Sequence, residues 1–116
     1  MHVEALREYC LSFKGTTEGF PFDEYTLVFK VQGKMFALIP LERQPAQINL
    51  KCDPERSVEL REAHPDLIYP GYHMSKKHWN TLHTEALPSQ LVTELIDHSY
   101  ALVVAGLPKY LREELK

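Results

Sequence analysis

The chain has 116 residues, of which 44% are hydrophobic and 25% charged, with a formal net charge of −3 at pH 7. That length builds a single domain, residues 1–116, around one core without a disulfide or metal staple. No apolar run approaches the ~18 residues of a membrane helix, and the slightly acidic balance excludes a protein that is basic throughout.

In chain order, Val3, Leu6, Cys10 and Phe13 fall at helical spacing, which predicts an amphipathic helix over 2–13 ended by Lys14-Gly15. The first residues lack the basic region, apolar run and cleavage site of an export signal, so the expected location is the cytoplasm. Cys10 and Cys52 are then expected to be reduced packing residues. Thr16–Asp23 reads as a turn-rich connection, with Phe20 and Phe22 expected to anchor it to the core. Tyr25–Val31 and Lys34–Leu41 predict two strands joined by a tight turn at Gln32-Gly33. In Ala46–Cys52, Ala46, Ile48, Leu50 and Cys52 alternate with Gln47, Asn49 and Lys51, a half-buried strand with a polar outer row. Those side chains suit an acidic or polar ligand, and equally suit plain solubility.

Asp53-Pro54 signals a helix start, since Asp caps free N–H groups and Pro fits the first turn. That helix is expected to run to His64 and to stop at Pro65-Asp66. Leu67–Met74 reads as an edge or bulged strand because of Pro70-Gly71. Ser75–His78 turns the chain, and Trp79–Thr84 is the last strand. The longest helix starts at Pro88-Ser89 and runs to Ala105; its apolar stripe includes Ser99, expected there as a small packing residue. Residues 109–116 are expected as a short, frayed helical tail.

Charge is segregated along the chain. Residues 25–52 carry Lys30, Lys34, Arg43 and Lys51 against the single acid Glu42, and residues 67–84 carry Lys76 and Lys77 with no acid. Residues 53–66 instead hold Asp53, Glu55, Glu59, Glu62 and Asp66 against two arginines. Either the helices simply tolerate acids on exposed faces, or the folded surface has one positive side.

The stretch Tyr69–Thr84 concentrates the unusual chemistry: Trp79, the only tryptophan, with His73, His78, His83 and the Lys76-Lys77 pair. The histidine spacing gives no complete zinc ligand set, and no metal or other cofactor is expected. No Gly-x-Ser-x-Gly elbow or phosphate-cradling glycine loop is present, so no catalytic residue is assigned and a non-enzyme is expected. Nucleic-acid binding fits better. Lysines neutralise phosphates, aromatic rings stack on bases, and asparagine reads base edges. The residues expected to contact DNA are Lys30, Lys34, Arg43, Lys51, Tyr72, His73, Lys76, Lys77, His78, Trp79 and Asn80. Against this, Tyr72 and Trp79 also suit packing within the hairpin.

At these residues the chain resembles the MmcQ/YjbR family. The resembling segments are Thr17-Glu-Gly-Phe-Pro-Phe22, Thr26-Leu-Val-Phe-Lys-Val31, Gly33-Lys-Met-Phe-Ala37, Ile48-Asn-Leu-Lys-Cys-Asp-Pro54, Pro70-Gly-Tyr-His-Met74, Lys76-Lys-His-Trp-Asn-Thr81 and Asp97-His-Ser-Tyr100. They follow one another over nearly the whole chain. Lys14 stands where the family often has proline, and Ser75 where asparagine is usual. The resemblance implies an α+β fold, an antiparallel sheet packed against N- and C-terminal helices, with a CyaY-like (frataxin-like) or double-wing-like topology. It implies DNA binding by analogy with the double-wing domain of a phage transcription factor, and it brings no catalytic residues. Frataxin's iron binding does not carry over, because the first helix offers only Glu4 and Glu8 in place of an acidic ridge. The leading expectation is a monomeric DNA-binding, transcription-associated domain using the basic sheet face and the 72–80 turn. The alternative is a protein-interaction module docking a partner through Tyr72 and Trp79. A small-molecule-binding or enzymatic domain is a third reading.

Overall fold

A computed structural model describes residues 1–71 and 74–116, in the order α1 (Val3–Leu11), β1 (Thr16–Gly19), β2 (Thr26–Val31), β3 (Lys34–Pro40), β4 (Gln47–Lys51), α2 (Pro54–Ala63), β5 (Ile68–Pro70), β6 (Trp79–His83), α3 (Ser89–Ala105) and α4 (Lys109–Glu113). The described strands form one antiparallel sheet in the order β1-β2-β3-β4-β6-β5. The β2–β3 hairpin turns through Gln32 and Gly33, both at positive φ (49° and 82°), the backbone that a two-residue turn between twisted strands requires. Glycine adopts it freely. Gln32 is held there by its side-chain amide, which donates to the Leu111 carbonyl (3.2 Å) and the Glu114 carboxylate (3.0 Å) of the C-terminal segment.

One irregularity organises both faces of the sheet. The β2–β3 register runs Phe29↔Ala37 and then Lys30↔Met35, so Phe36 is an inserted residue, a β-bulge. Phe36 is thereby delivered to the helical side, where its ring meets Phe13 (5.9 Å) and Tyr100 (5.3 Å) edge-on, and Phe13 and Tyr100 stack at 4.5 Å. The bulge also interrupts the β3–β4 ladder, which pairs Ala37 with Leu50 and Leu38 with Asn49 and stops before Phe36 and Lys51. Ser99 of α3 fills the gap: its Oγ donates to the Phe36 carbonyl (2.5 Å) and accepts from the Lys51 amide (2.9 Å). Ser99 is therefore a hydrogen-bonded tie between helix and sheet, and more than the small spacer expected from its place on the stripe.

The main core lies between the sheet and α1 and α3. Leu6 and Cys10 of α1, Val92, Leu95, Ile96 and Val103 of α3, and the inward residues of the strands build it. Both cysteines are free and buried. Burial pushes the Cys10 thiol up to about 12. The Asp53 cap forms as expected, its carboxylate accepting the Arg56 amide at 3.1 Å with Pro54 in the first turn.

Three expectations change. Residues 16–19 form an edge strand against β2 in place of a loop; two β-branched threonines suit it, and the Arg7 guanidinium grips Glu18 with two bonds (2.7 and 2.5 Å), tying it to α1. Phe20 and Phe22 do not anchor into the core and are 49% and 64% exposed. Of the strand expected over 67–74, Ile68–Pro70 forms, and pairing to β6 carries on to the Gly71 amide, which donates to the Trp79 carbonyl (3.0 Å); residues 72 and 73 lie outside the described residues.

Candidate functional site

Among the described residues, helices cover one side of the sheet only. Leu27, Phe29 and Val31 of β2, Ile48 and Leu50 of β4, and Leu82 of β6 pack into the main core. Strand alternation then sends Val28, Lys30, Gln47, Asn49, Lys51, Trp79 and Thr81 to the opposite, open face. On that face Val28, Leu38 and Trp79 form a second apolar cluster with Met35 and Met74 against it. Met35 and Leu38 share this side despite their odd spacing because the inserted Phe36 lies between them. Above the cluster lies an open cavity of about 610 Å³.

The cavity has an apolar floor and polar walls. Met35, Leu38, Met74 and Trp79 supply the floor, with Pro40 and Phe22 at one side. Gln47, Asn49, Tyr69 and Thr81 supply amide and hydroxyl groups from three adjacent strands. Thr81 Oγ1 donates to Asn49 Oδ1 at 2.6 Å. The Tyr69 hydroxyl is hydrogen-bonded to His83 Nε2 (2.9 Å) and accepts from Gln47 Nε2 (3.4 Å). Arg43 stands exposed in the β3–β4 loop and also lines the cavity. Asp23 lies in the same wall, but its carboxylate is turned to its own loop. The Tyr25 and Thr26 amides donate to it (2.8 and 2.7 Å) and hold it below the usual carboxylate range.

Several residues expected at the site meet on or beside this face. Lys30 and Lys51 flank the apolar cluster, Lys34 is exposed where β3 leaves the hairpin turn, and Lys76 and Lys77 are exposed in the turn before β6. That turn closes through the His78 and Trp79 amides, which both donate to the Ser75 carbonyl (3.1 and 2.9 Å). His78 is half-buried, and its carbonyl accepts the Cys52 amide at 2.8 Å. None of the five lysines, nor Arg43, makes an ion pair with a described residue. The acids Glu55, Glu59 and Glu62 belong to α2, and Glu94 to α3, where Arg56 pairs with Glu94.

Other residues do not join the face. Asn80 is 1% exposed and sits on the helical side, donating to Ser57 Oγ (3.2 Å) and accepting from Arg61 Nε (2.7 Å). A side chain spent on these bonds is not free to read a base edge, so the structure removes Asn80 from the expected contact set. Trp79 is only 8% exposed, a part of the cavity floor more than a free stacking platform. Tyr72 and His73 lie outside the described residues. Among the described residues no three His, Cys, Asp or Glu side chains come together as a metal site would need. Among the described residues no helix is long and apolar enough to cross a membrane.

Comparison with known proteins places this geometry in a family. The YjbR family model matches residues 11–102. The chain belongs to the YjbR family. Escherichia coli K12 YjbR is 32% identical over 117 residues, 99% of this chain and 98% of its own. YbdF of Escherichia coli O157:H7 is 43% identical over 91 residues, 78% of this chain and 74% of its own. The crystal structure of Deinococcus radiodurans DR2400 superposes with a TM-score of 0.92 at 45% identity, over 98% of this chain and 87% of that one. A Pseudomonas syringae protein gives 0.73 at 28% identity, over 88% and 98%. None of these names assigns an activity, so what the YjbR fold does here rests on the site.

One of the segments that carried the YjbR resemblance has a structural role throughout. In Asp97-His-Ser-Tyr100, Asp97 accepts from the Tyr9 hydroxyl (2.6 Å), His98 Nε2 from the Asp53 amide (3.2 Å), and Tyr100 donates to the Lys14 carbonyl (2.6 Å). Together with Ser99, all four residues pin α3 to its neighbours. The segments at 26–31, 33–37, 48–54 and 76–81, by contrast, each contribute to the open face.

Proposed function

We propose that this YjbR protein is a nucleic-acid-binding module that works through the open face of its sheet and the turn at 76–78. The observation that carries the reading is the separation of charge. Lys30, Lys51 and Arg43 stand on the uncovered face and Lys34, Lys76 and Lys77 at its margins, without carboxylate partners among the described residues. The helical layer keeps the acids of α2 and α3. Unpaired cations on one surface are what a polyphosphate backbone recognises, and each phosphate neutralised releases a counterion. The reading includes a single-domain chain acting as a monomer in the cytoplasm, without catalysis, in a role associated with transcription.

A salt titration of DNA binding tests it. The affinity is expected to fall as salt rises, and replacing both Lys76 and Lys77 by alanine should flatten log affinity against log salt by roughly 0.9 per lost duplex contact. The thermal midpoint should hardly move, because exposed lysines contribute little to folding. Absence of measurable affinity at low salt would reject the reading. Docking of a partner protein would then lead, with Phe20, Phe22, Tyr25 and Leu41 offering the exposed apolar surface that the buried Trp79 does not.

A further inference from the structure

Surface charge explains attraction to phosphate, but it leaves the cavity without a purpose. The cavity volume, about 610 Å³, falls within the ~300–1,000 Å³ of sites that enclose a small organic ligand. Its chemistry is also divided in a specific way. The floor is apolar, made of thioether and aliphatic groups with the small exposed part of the indole, against which a flat ring packs, and the wall above it is a row of amides.

Those amides are oriented. Because Thr81 Oγ1 donates to Asn49 Oδ1, the Asn49 Nδ2 donors are left for a ligand. Because Gln47 Nε2 donates to the Tyr69 hydroxyl, Gln47 leaves its Oε1 as an acceptor. The two residues alternate on one strand, about 7 Å apart along it, so a donor and an acceptor stand on one wall over an apolar floor, spaced to meet two separate positions along a ligand's edge. The edge of a nucleobase presents an acceptor beside a donor, and an unpaired base satisfies face and edge together. Arg43 at the mouth carries no ion pair with a described residue, and its guanidinium suits the attached phosphate.

We propose that this cavity binds one unpaired nucleotide, its base lying on the Met35–Leu38–Trp79 floor with its edge at Gln47 and Asn49, and its phosphate at Arg43. This site rests on the nucleic-acid reading above and makes it more specific. A base stacked in a duplex must leave the stack before a pocket encloses it, so the site selects an unpaired base, whether a free nucleotide or one residue of a single strand.

Trp79 is the only tryptophan and lines the cavity floor, so its emission reports occupancy in the intact chain. The titrants are the four nucleoside monophosphates, the corresponding nucleosides, a mixed-sequence single-stranded oligonucleotide, its duplex, and ribose 5-phosphate. A saturable change with a monophosphate or the single strand is expected, and none with ribose 5-phosphate. Tighter binding of the strand than of any monophosphate identifies a strand as the source, and the reverse order a free nucleotide. Asn49→Ala and Gln47→Ala should each weaken binding by about three- to tenfold, the share of one hydrogen bond, with melting little changed at Gln47 and lowered at Asn49, whose loss strips the buried Thr81 hydroxyl of its acceptor. Arg43→Ala should erase the preference for monophosphate over nucleoside. If oligonucleotides bind with a salt slope while Trp79 emission stays constant and both amide variants bind as the parent does, the cavity site is refuted and the basic face stands. If monophosphates bind and no oligonucleotide does, the cavity stands and the basic-face reading falls. No emission response to any titrant, together with no oligonucleotide binding at low salt by fluorescence anisotropy of a labelled strand, rejects both.

Discussion

Replacing Ser99 by alanine tests how the helical layer is fixed to the sheet. The serine is fully buried, and its hydroxyl serves two backbone groups that the interrupted β3–β4 ladder leaves unpaired, the Phe36 carbonyl and the Lys51 amide. Alanine removes both partners at once and lets in no water. Each unsatisfied buried group costs roughly 1–3 kcal/mol, and alanine returns about 0.5 kcal/mol as the better helix former. The expected loss is therefore about 2–5 kcal/mol, a large part of the ~5–15 kcal/mol that holds a domain of this size. Urea denaturation measures it, with the midpoint lowered and the slope unchanged. Hydrogen exchange at the Lys51 amide should accelerate beyond what the global loss accounts for. Thr93→Ala on the same helix is the control: its hydroxyl donates only to the Gln90 carbonyl of its own helix, and its removal should cost less than about 0.5 kcal/mol. Equal effects at the two positions would refute the bridge and reduce Ser99 to a small spacer on the apolar stripe.

Arg61→Ala should cost about 1–3 kcal/mol, because it strips the buried Asn80 carbonyl of a donor and frees the Lys76 carbonyl; faster exchange of the His78 and Trp79 amides would locate the loss in the turn. Stability should decline as pH falls below about 6.5. Burial, and then the nearby Arg56 charge, hold His98 below its ordinary value, so the unfolded chain takes up that proton first, and protonation would displace the Asp53 amide from Nε2. Melting curves from pH 8 to 5 should be flatter for His98→Gln than for the parent, and parallel curves would count against the assignment. Neither Cys10 nor Cys52 should react with a thiol reagent in the native protein at pH 8, since burial raises both; rapid modification of either would contradict the packing described.

Much of this architecture is legible in the sequence because the local signals agree with the global fold. Gln32-Gly33, Asp53-Pro54 and the alternation of Gln47, Asn49 and Lys51 each dictate one backbone solution, and each element appears where its signal lies. The site is legible in part for the same reason: the polar row of β4 is the amide wall of the cavity. Asn80 departs from expectation although the strand period holds the answer, since Trp79 and its neighbour must point to opposite faces. The edge strand β1 has no alternating pattern, being four residues stabilised by pairing to β2 and by Arg7. The cost of exposed apolar area argues for an inward Phe22, and the ring lies instead at the cavity's side. The bulge at Phe36 has no local marker. It follows from how two strands and α3 fit together, so the Met35–Leu38 floor it creates is out of reach of periodicity.

The two outer strands of the sheet have a consequence for how copies of this chain meet. β1 is four residues long and β5 three, and β5 ends in Pro70. An incoming strand needs a run of free N–H and C=O groups to pair with, and a short edge closed by proline supplies little of it. Lateral addition of another chain's backbone, the route to domain swapping and cross-β growth, is thus blunted at both rims while the broad middle of the sheet stays uncovered. The cavity above the Val28–Leu38–Trp79 cluster therefore lies between two edges that offer another chain's backbone little to join.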